Sequence, residues 1–242
     1  MTSKLITILS GLFFIFFFFN GYIDLSSYQL DKVYLTVSTF LFSIFNGFFI
    51  ARQATRYNEI RSNHSLLDDD MSIIYRESAH LAQEEHKHVG EIIKEYYTAI
   101  IKTKNWAYYF THKSNLISSL HANMEKCGDI SMDKVRGEAI RAIIKSLDDI
   151  QVIRKVLVSL KEEVIPRLQQ FFIYVLAVIL FLAILTLPSA GVVLASILKA
   201  VYMLTVITVV ILLKKFDNLT LFEGTIGEHS AKDVLSIIEG EK

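Results

Sequence analysis

Residues 33–51 read VYLTVSTFLFSIFNGFFIA, without a charge, and residues 52–61 read RQATRYNEIR. A helix needs about 20 apolar residues to cross the hydrocarbon core of a bilayer, and the first run has that length. Inside lipid the backbone must satisfy its own hydrogen bonds, so a helix is expected here and not a lone strand. Arg52, Arg56 and Arg61 follow directly. Basic residues collect at the cytoplasmic ends of spans, so the end near Ala51 reads as the inner end.

Working outward, three more stretches have the same character. Leu5–Ile23 contains an almost unbroken block of phenylalanines, Phe13 to Phe19. Phe171–Leu187 is uncharged, and Val192–Leu213 is broken only by Lys199. Lys4 before an apolar core also fits a signal peptide. No small-x-small cleavage site follows Phe19, so a retained span is the expectation. Lys161 and Arg167 precede the third span, and Lys214 and Lys215 follow the fourth. The connection between the first two spans carries Asp24 and Asp31 against one lysine, and the turn Pro188-Ser189-Ala190-Gly191 carries no charge. These counts agree on both termini and Cys127 inside, with two short outer loops.

The composition fits this reading. The chain of 242 residues is 52% hydrophobic, and its mean hydropathy is +0.39, too apolar for an ordinary soluble domain. Lys+Arg and Asp+Glu are 25 each, so no global field recruits nucleic acid. One cysteine excludes an intrachain disulfide and a Cys-based zinc cage. Two prolines and ten glycines are too few for a turn-rich all-β protein. Between Arg52 and Gln170 lie 18 of the basic and 17 of the acidic residues, so the charge is concentrated in one inner region.

That region reads as helical. Ile60, His64, Leu67, Met71, Ile74, Ser78 and Leu81 recur at steps of three and four, an amphipathic stripe. A second stripe runs through Ile93, Tyr96, Tyr97, Ile100 and Ile101. A short segment covers Asn115 to Cys127, closed by Gly128-Asp129. A long last helix places Ile140, Ile143, Leu147, Ile150, Leu157, Leu160 and Val164 on one side and runs towards Pro166, which starts or kinks the third span. The expected layout is transmembrane helices one and two over 1–52, a cytoplasmic helical region over 53–166, helices three and four over 167–215, and a cytoplasmic tail over 216–242.

No phosphate-binding glycine loop, nucleophile elbow or metalloprotease motif is present. Glu84-Glu85, Asp148-Asp149 and Glu162-Glu163 read as solvated helix faces. Asp68, Asp69 and Asp70 cannot all face one point on a helix. His80, Glu84 and His88, with His86 close by, are spaced i, i+4, i+8; the plain reading is a polar helix face with an i,i+4 His/Glu pair, a metal site and a pH-responsive surface are the alternatives, and no metal is the expectation. Lys199 lies inside a span, where an ionisable group is costly. It either snorkels to headgroups or pairs with another subunit, or else it serves permeation.

The 33–51 run differs from the other spans in carrying Thr36, Ser38, Thr39, Ser43, Asn46 and Gly47. Polar residues within a span face a protein interface or a water path. Ser43, Asn46 and Lys199 are the polar candidates for a pore or vestibule. Phe40, Ile44 and Phe48 sit at i, i+4, i+8. In a symmetric oligomer they would form three apolar rings able to gate by dewetting; ordinary helix packing is the other reading.

Gly47-Phe48 and, eight residues after Phe48, Arg56-Tyr57-x-Glu59-x-Arg61 resemble the bestrophin family, whose bacterial members carry Gly-Phe and then Arg-Tyr/Trp-x-Glu-x-Arg at the inner end of the second span. The wider chain is similar to the bestrophin-like family of bacterial membrane proteins, through Tyr75-Arg76-Glu77, Tyr96-Tyr97, Trp106 and Phe222-x-Gly224. Leu221 stands where that tail motif usually has proline, and the acidic calcium clasp of eukaryotic bestrophins has no counterpart. The resemblance implies a homopentameric ion channel with one central pore. Carried over by position, its neck rings fall on Phe48 and, further out, on Ile44 and Phe40.

The expectation is thus an all-α membrane protein of four transmembrane helices in a bacterial cytoplasmic membrane. It assembles with itself, five subunits favoured, and passes inorganic ions. It has no cofactor, no nucleic-acid partner and no enzymatic activity. The rival reading is a non-conducting membrane sensor or scaffold whose inner bundle binds a partner protein.

Overall fold

Proline placement shows how the sequence divides its helices. The chain has two prolines, and they bracket one apolar helix. Pro166 is its N-cap residue with φ −55° and ψ 139°, and Pro188 follows three residues after its end. A proline ring fits ahead of the first turn and cannot continue a helix interior. In the structure, a computed structural model describing residues 2–22, 32–103, 116–126, 134–188, 193–219 and 228–240, eight helices are described. They are α1 (Thr2–Tyr22), α2 (Lys32–Ser78), α3 (Gln83–Thr103), α4 (Leu116–Lys126), α5 (Lys134–Glu162), α6 (Arg167–Leu185), α7 (Val193–Asp217) and α8 (Glu228–Ile238). No strand occurs among the described residues. Helices α2 (over part of its length), α6 and α7 are long and apolar enough to cross a membrane, and Ile6–Tyr22 of α1 is a shorter apolar helix.

The chain forms two units. The first comprises 1–57 and 164–223, the second 58–163 and 224–242. In the first, α1 packs along α7: Asn20 Nδ2 donates to Phe16 O (2.8 Å) and to Met203 Sδ (3.7 Å). Phe42, Ala177, Leu180 and Val206 form one cluster between α2, α6 and α7, and Phe49, Ile165, Ile173 and Leu213 form another. Buried Ala177, Ala183 and Ala200 allow close helix approach. Lipid tails are as apolar as these side chains, so close packing and not water exclusion holds such helices together. Phe14, Ile15, Phe18, Val178, Leu182 and Leu194 are exposed, an apolar exterior suited to lipid.

The second unit is built around buried Ile60, Leu67, Met71, Ile74, Ile93, Tyr97, Leu120, Ile143, Leu147 and Leu157. Each such burial removes apolar area from water and contributes about 1.5–3 kcal/mol. Helix α3 packs against α4 and α8, and α4 against α5. The stripe from Ile60 to Ser78 is buried at every position, as are Ile93, Tyr96, Tyr97 and Ile100. Two ends differ from the sequence expectation. Val164 lies beyond the end of α5 and is exposed, and Leu81 lies beyond the end of α2. Asn115, Cys127, Gly128 and Asp129 lie outside the described residues.

The break after Ser78 has a local cause. Ser78 Oγ donates to Tyr75 O (2.6 Å) and lies 2.7 Å from His86 Nδ1. Ala79, His80 and Leu81 then make tight bonds back to the third carbonyl before each. Ala82 N–H donates to Glu85 Oε2 (2.8 Å), the side-chain half of a capping box that starts α3.

Candidate functional site

The periodicity of α2 decides what each of its side chains meets. Ser38, Phe42, Asn46, Phe49, Gln53 and Arg56 recur at steps of three and four, and all are buried. Phe42 and Phe49 are 6% and 4% exposed, whereas Phe40, Ile44 and Phe48 are 63%, 51% and 61% exposed. The two phenylalanine sets therefore occupy opposite sides of one helix, and only the first packs within the chain. Thr36, Ser43 and Gly47 share the exposed side. A Cβ added to Gly47 would meet nothing within 4 Å, so no contact inside one chain requires a glycine there. The row Phe40–Ile44–Phe48 slants, since each four-residue step turns about 40° beyond a full rotation.

Two of the three polar candidates sit elsewhere. Asn46 is 3% exposed and its Nδ2 donates to Phe42 O (2.7 Å), so it belongs to the inward row and not to the Phe40 side. Lys199 is 5% exposed, and its Nζ donates to Leu187 O at the end of the α6 region. Of the three candidates Ser43 alone is exposed, on the flank of the apolar row nearest Phe40.

The motif arginine takes part in a buried polar knot at one end of this unit. Arg56 Nη1 donates to Gln53 Oε1 (3.0 Å) and to the backbone carbonyl of Asp217 (3.0 Å). Asp217 Oδ1 accepts from the Ile165 N–H (2.7 Å) and from Gln53 Nε2 (3.4 Å). Its Oδ2 accepts from Gln170 Nε2 (3.1 Å), which also donates to Ile165 O (3.0 Å). One carboxylate thus ties α2, the 163–166 connection, α6 and α7 together. Sequence reading missed Asp217, Gln53 and Gln170. One signal was available: Asp217 closes a helix, where the negative end of the macrodipole disfavours a carboxylate, so an acid there needs dedicated donors. Tyr57 is half-buried, and Glu59 and Arg61 are exposed.

The other motif residues also tie helices together. Tyr75 stacks on His86 with ring centroids 4.7 Å apart, and its hydroxyl donates to Ile238 O (3.2 Å). Tyr96 and Tyr97 meet edge to face. The Tyr97 hydroxyl donates to Asp68 Oδ1 (2.6 Å). Burial raises the Asp68 pKa from 3.8 to about 6, against the lowering pull of the Ser230 and Tyr97 hydroxyls, and Asp69 adds to the rise. Burial also lowers the His64 pKa from 6.5 to about 4, and it drives the Tyr97 phenol well above 10 with Asp68 assisting. Asp69 is exposed and Asp70 half-buried, so the three aspartates do not converge. Trp106, Leu221, Phe222 and Gly224 lie outside the described residues.

His80, Glu84 and His88 do not share one helix face, contrary to their spacing. All three are exposed, and the turn at 79–82 separates His80 from α3, so the i, i+4, i+8 spacing is not realised on one helix. Among the described residues no three His, Cys, Asp or Glu side chains gather as a metal site.

No curated protein and no solved structure matches the chain. The family comparison returns a Bestrophin-like domain over residues 6–226. Those limits take in the exposed row of α2, the Arg56–Asp217 knot, the Tyr75–His86 ring contact and the Tyr97–Asp68 bond, so the chain belongs to the bestrophin-like family.

Proposed function

We propose that this chain is one subunit of a homo-oligomeric ion channel, five subunits favoured, whose neck is lined by Phe40, Ile44 and Phe48 of α2. The observation that carries the reading is the sidedness of α2. Its inward row is filled by Phe42, Phe49 and the Arg56 knot, while Phe40, Ile44 and Phe48 remain outside the chain's own core. Exposed apolar residues alone also suit lipid. Thr36, Ser43 and Gly47 on the same side favour a protein or water neighbour instead. Around a symmetry axis, stacked apolar rings raise the barrier to hydrated ions, because an unpaired charge loses its water there. The slanted row requires α2 to cross the axis obliquely for all three side chains to reach it.

In this reading α1 is the fourth span beside α2, α6 and α7. Both termini and the 53–166 helical region are cytoplasmic, and 167–215 and 216–242 form the last two spans and the tail. The membrane is the bacterial inner membrane. The chain carries out no chemical reaction, and its partners are its own copies, the bilayer and inorganic ions.

The test is purification in mild detergent, mass measurement and reconstitution into planar bilayers. A particle of five chains that carries current is expected. A dilution-stable monomer or dimer, or a pentamer that is electrically silent under all salts and voltages, sinks the channel reading and favours the sensor or scaffold.

A further inference from the structure

A second candidate site lies at the loop end of the α6–α7 hairpin. A cavity of about 310 Å³ opens there between α2, α6 and α7. Leu35, Ile184, Ala195 and Leu198 form its apolar wall, and Lys199 contributes the cation. Thr39 and Tyr202 add hydroxyls to the same cavity, with Thr39 Oγ1 and Tyr202 OH 3.4 Å apart. Leu198 and Tyr202 are exposed, so the mouth opens sideways to whatever surrounds the helices.

Two properties select an occupant. An apolar chamber with one buried cation and two hydroxyls at its wall matches an amphiphile with an anionic head. The volume lies at the small end of ligand sites, roughly 300–1,000 Å³, and suits one acyl chain better than a two-chain lipid. Depth agrees with this. Lys199 is the seventh residue of α7, about 9 Å below the helix start at 1.5 Å per residue. With the start of α7 at the outer membrane surface, as the proposed topology has it, that depth lies below the phosphates of a bilayer, whose headgroup layers add only about 5–8 Å to each side of the hydrocarbon. A fatty-acid carboxylate can sink to this level beside its own chain, while a glycerophospholipid phosphate is held higher.

We propose that this cavity binds a long-chain fatty acid, with its carboxylate on the Lys199 ammonium and its chain against Leu35, Ile184 and Leu198. The site depends on α6 and α7 being embedded in a membrane and not on ion conduction, so its failure and the failure of the channel reading are separable.

The experiment is native mass spectrometry of the full-length protein in non-ionic detergent, titrated separately with oleate, methyl oleate and phosphatidylglycerol. Variants are Lys199→Met, Lys199→Arg and Ala195→Trp, the last to fill the chamber. Oleate should bind at one per subunit. Methyl oleate and the Lys199→Met variant should each show binding weaker by about tenfold or more, the scale of one charge-assisted hydrogen bond. Lys199→Arg should retain oleate and Ala195→Trp should lose it, with the number of subunits in the assembly unchanged. Oleate bound equally by the Lys199→Met and Ala195→Trp proteins would overturn the proposal. So would a preference for phosphatidylglycerol, or intact oligomers that take up no oleate because a neighbouring subunit fills the cavity. Should Lys199→Met fail to fold, the Ala195→Trp and methyl oleate arms decide alone.

Discussion

Replacing Asp68 with asparagine should stabilise the protein at neutral pH by an amount that disappears on acidification. Asp68 is 4% exposed, and its pKa lies at about 6 instead of 3.8. The folded protein therefore holds this proton more tightly than the unfolded chain. Its contribution to stability is fully present below pH 3.8 and is lost as pH rises through about 6. At about 1.36 kcal/mol per pH unit, the loss amounts to about 3 kcal/mol. Asparagine keeps the shape and can still accept from Tyr97, but it has no proton to lose. In a chain of this size each kcal/mol moves Tm by about 2–4 °C, so Asp68→Asn should melt about 6–12 °C above the parent at pH 7.5 and level with it at pH 4.

His64, one turn away, acts in the opposite sense. Its pKa is lowered from 6.5 to about 4, so its contribution is present above pH 6.5 and is lost as pH falls towards 4. In the parent protein the two effects oppose each other between pH 4 and 6. The Asp68→Asn protein should therefore lose stability on acidification more steeply than the parent, and His64→Leu less steeply. The assay is thermal unfolding of the detergent-solubilised full chain from pH 4 to 7.5, read as the difference between each variant and the parent. An Asp68→Asn difference that is constant with pH would refute the reasoning.

Other expectations concern single contacts. Asp217→Ala should destabilise by about 1–3 kcal/mol for each neutral buried donor it leaves without an acceptor on α2, α6 and the 163–166 connection; an unchanged Tm would show the knot to be incidental. Gly90→Val should loosen α8, since even a Cβ at Gly90 would stand 3.1 Å from Tyr75 Cε2 and 3.7 Å from Ile238 Cγ2. Overpacking of this kind costs about 1–3 kcal/mol, and limited proteolysis should cut the C-terminal segment faster than in the parent. A membrane-impermeant thiol reagent should leave Cys127 unlabelled in intact cells and label it after lysis; full labelling in sealed cells would reverse the proposed topology.

The parts of this structure that were legible in the sequence are those set by local periodicity. The stripe from Ile60 to Ser78 could be read because steps of three and four on a helix need no knowledge of partners. The same arithmetic applied to residues 38–56 separates Asn46 from Phe40 and Phe48, but attention to its polarity grouped it with them. The end of α2 was harder to read. No glycine or proline marks it, and the Ser78 hydroxyl and the Glu85 carboxylate do the capping. Asp217 was out of reach for a different reason. Its partners Gln53, Ile165 and Gln170 are 164, 52 and 47 residues distant, and only packing brings them to one carboxylate. Lys199 was recognised as costly, but its cavity depends on three helices at once.

The central claim is that Phe40, Ile44 and Phe48 face a lumen. The most direct test replaces all three with alanine and measures single-channel current and oligomer mass together. In one chain these side chains are more than half exposed, so truncation forfeits little packing within a subunit. A lumen widened and wetted by the loss of three apolar rings should conduct more or open more often, with assembly intact. Buried side chains would behave otherwise, at about 2–5 kcal/mol lost for each. Intact oligomers with unchanged current, or a variant that no longer assembles, would contradict the account.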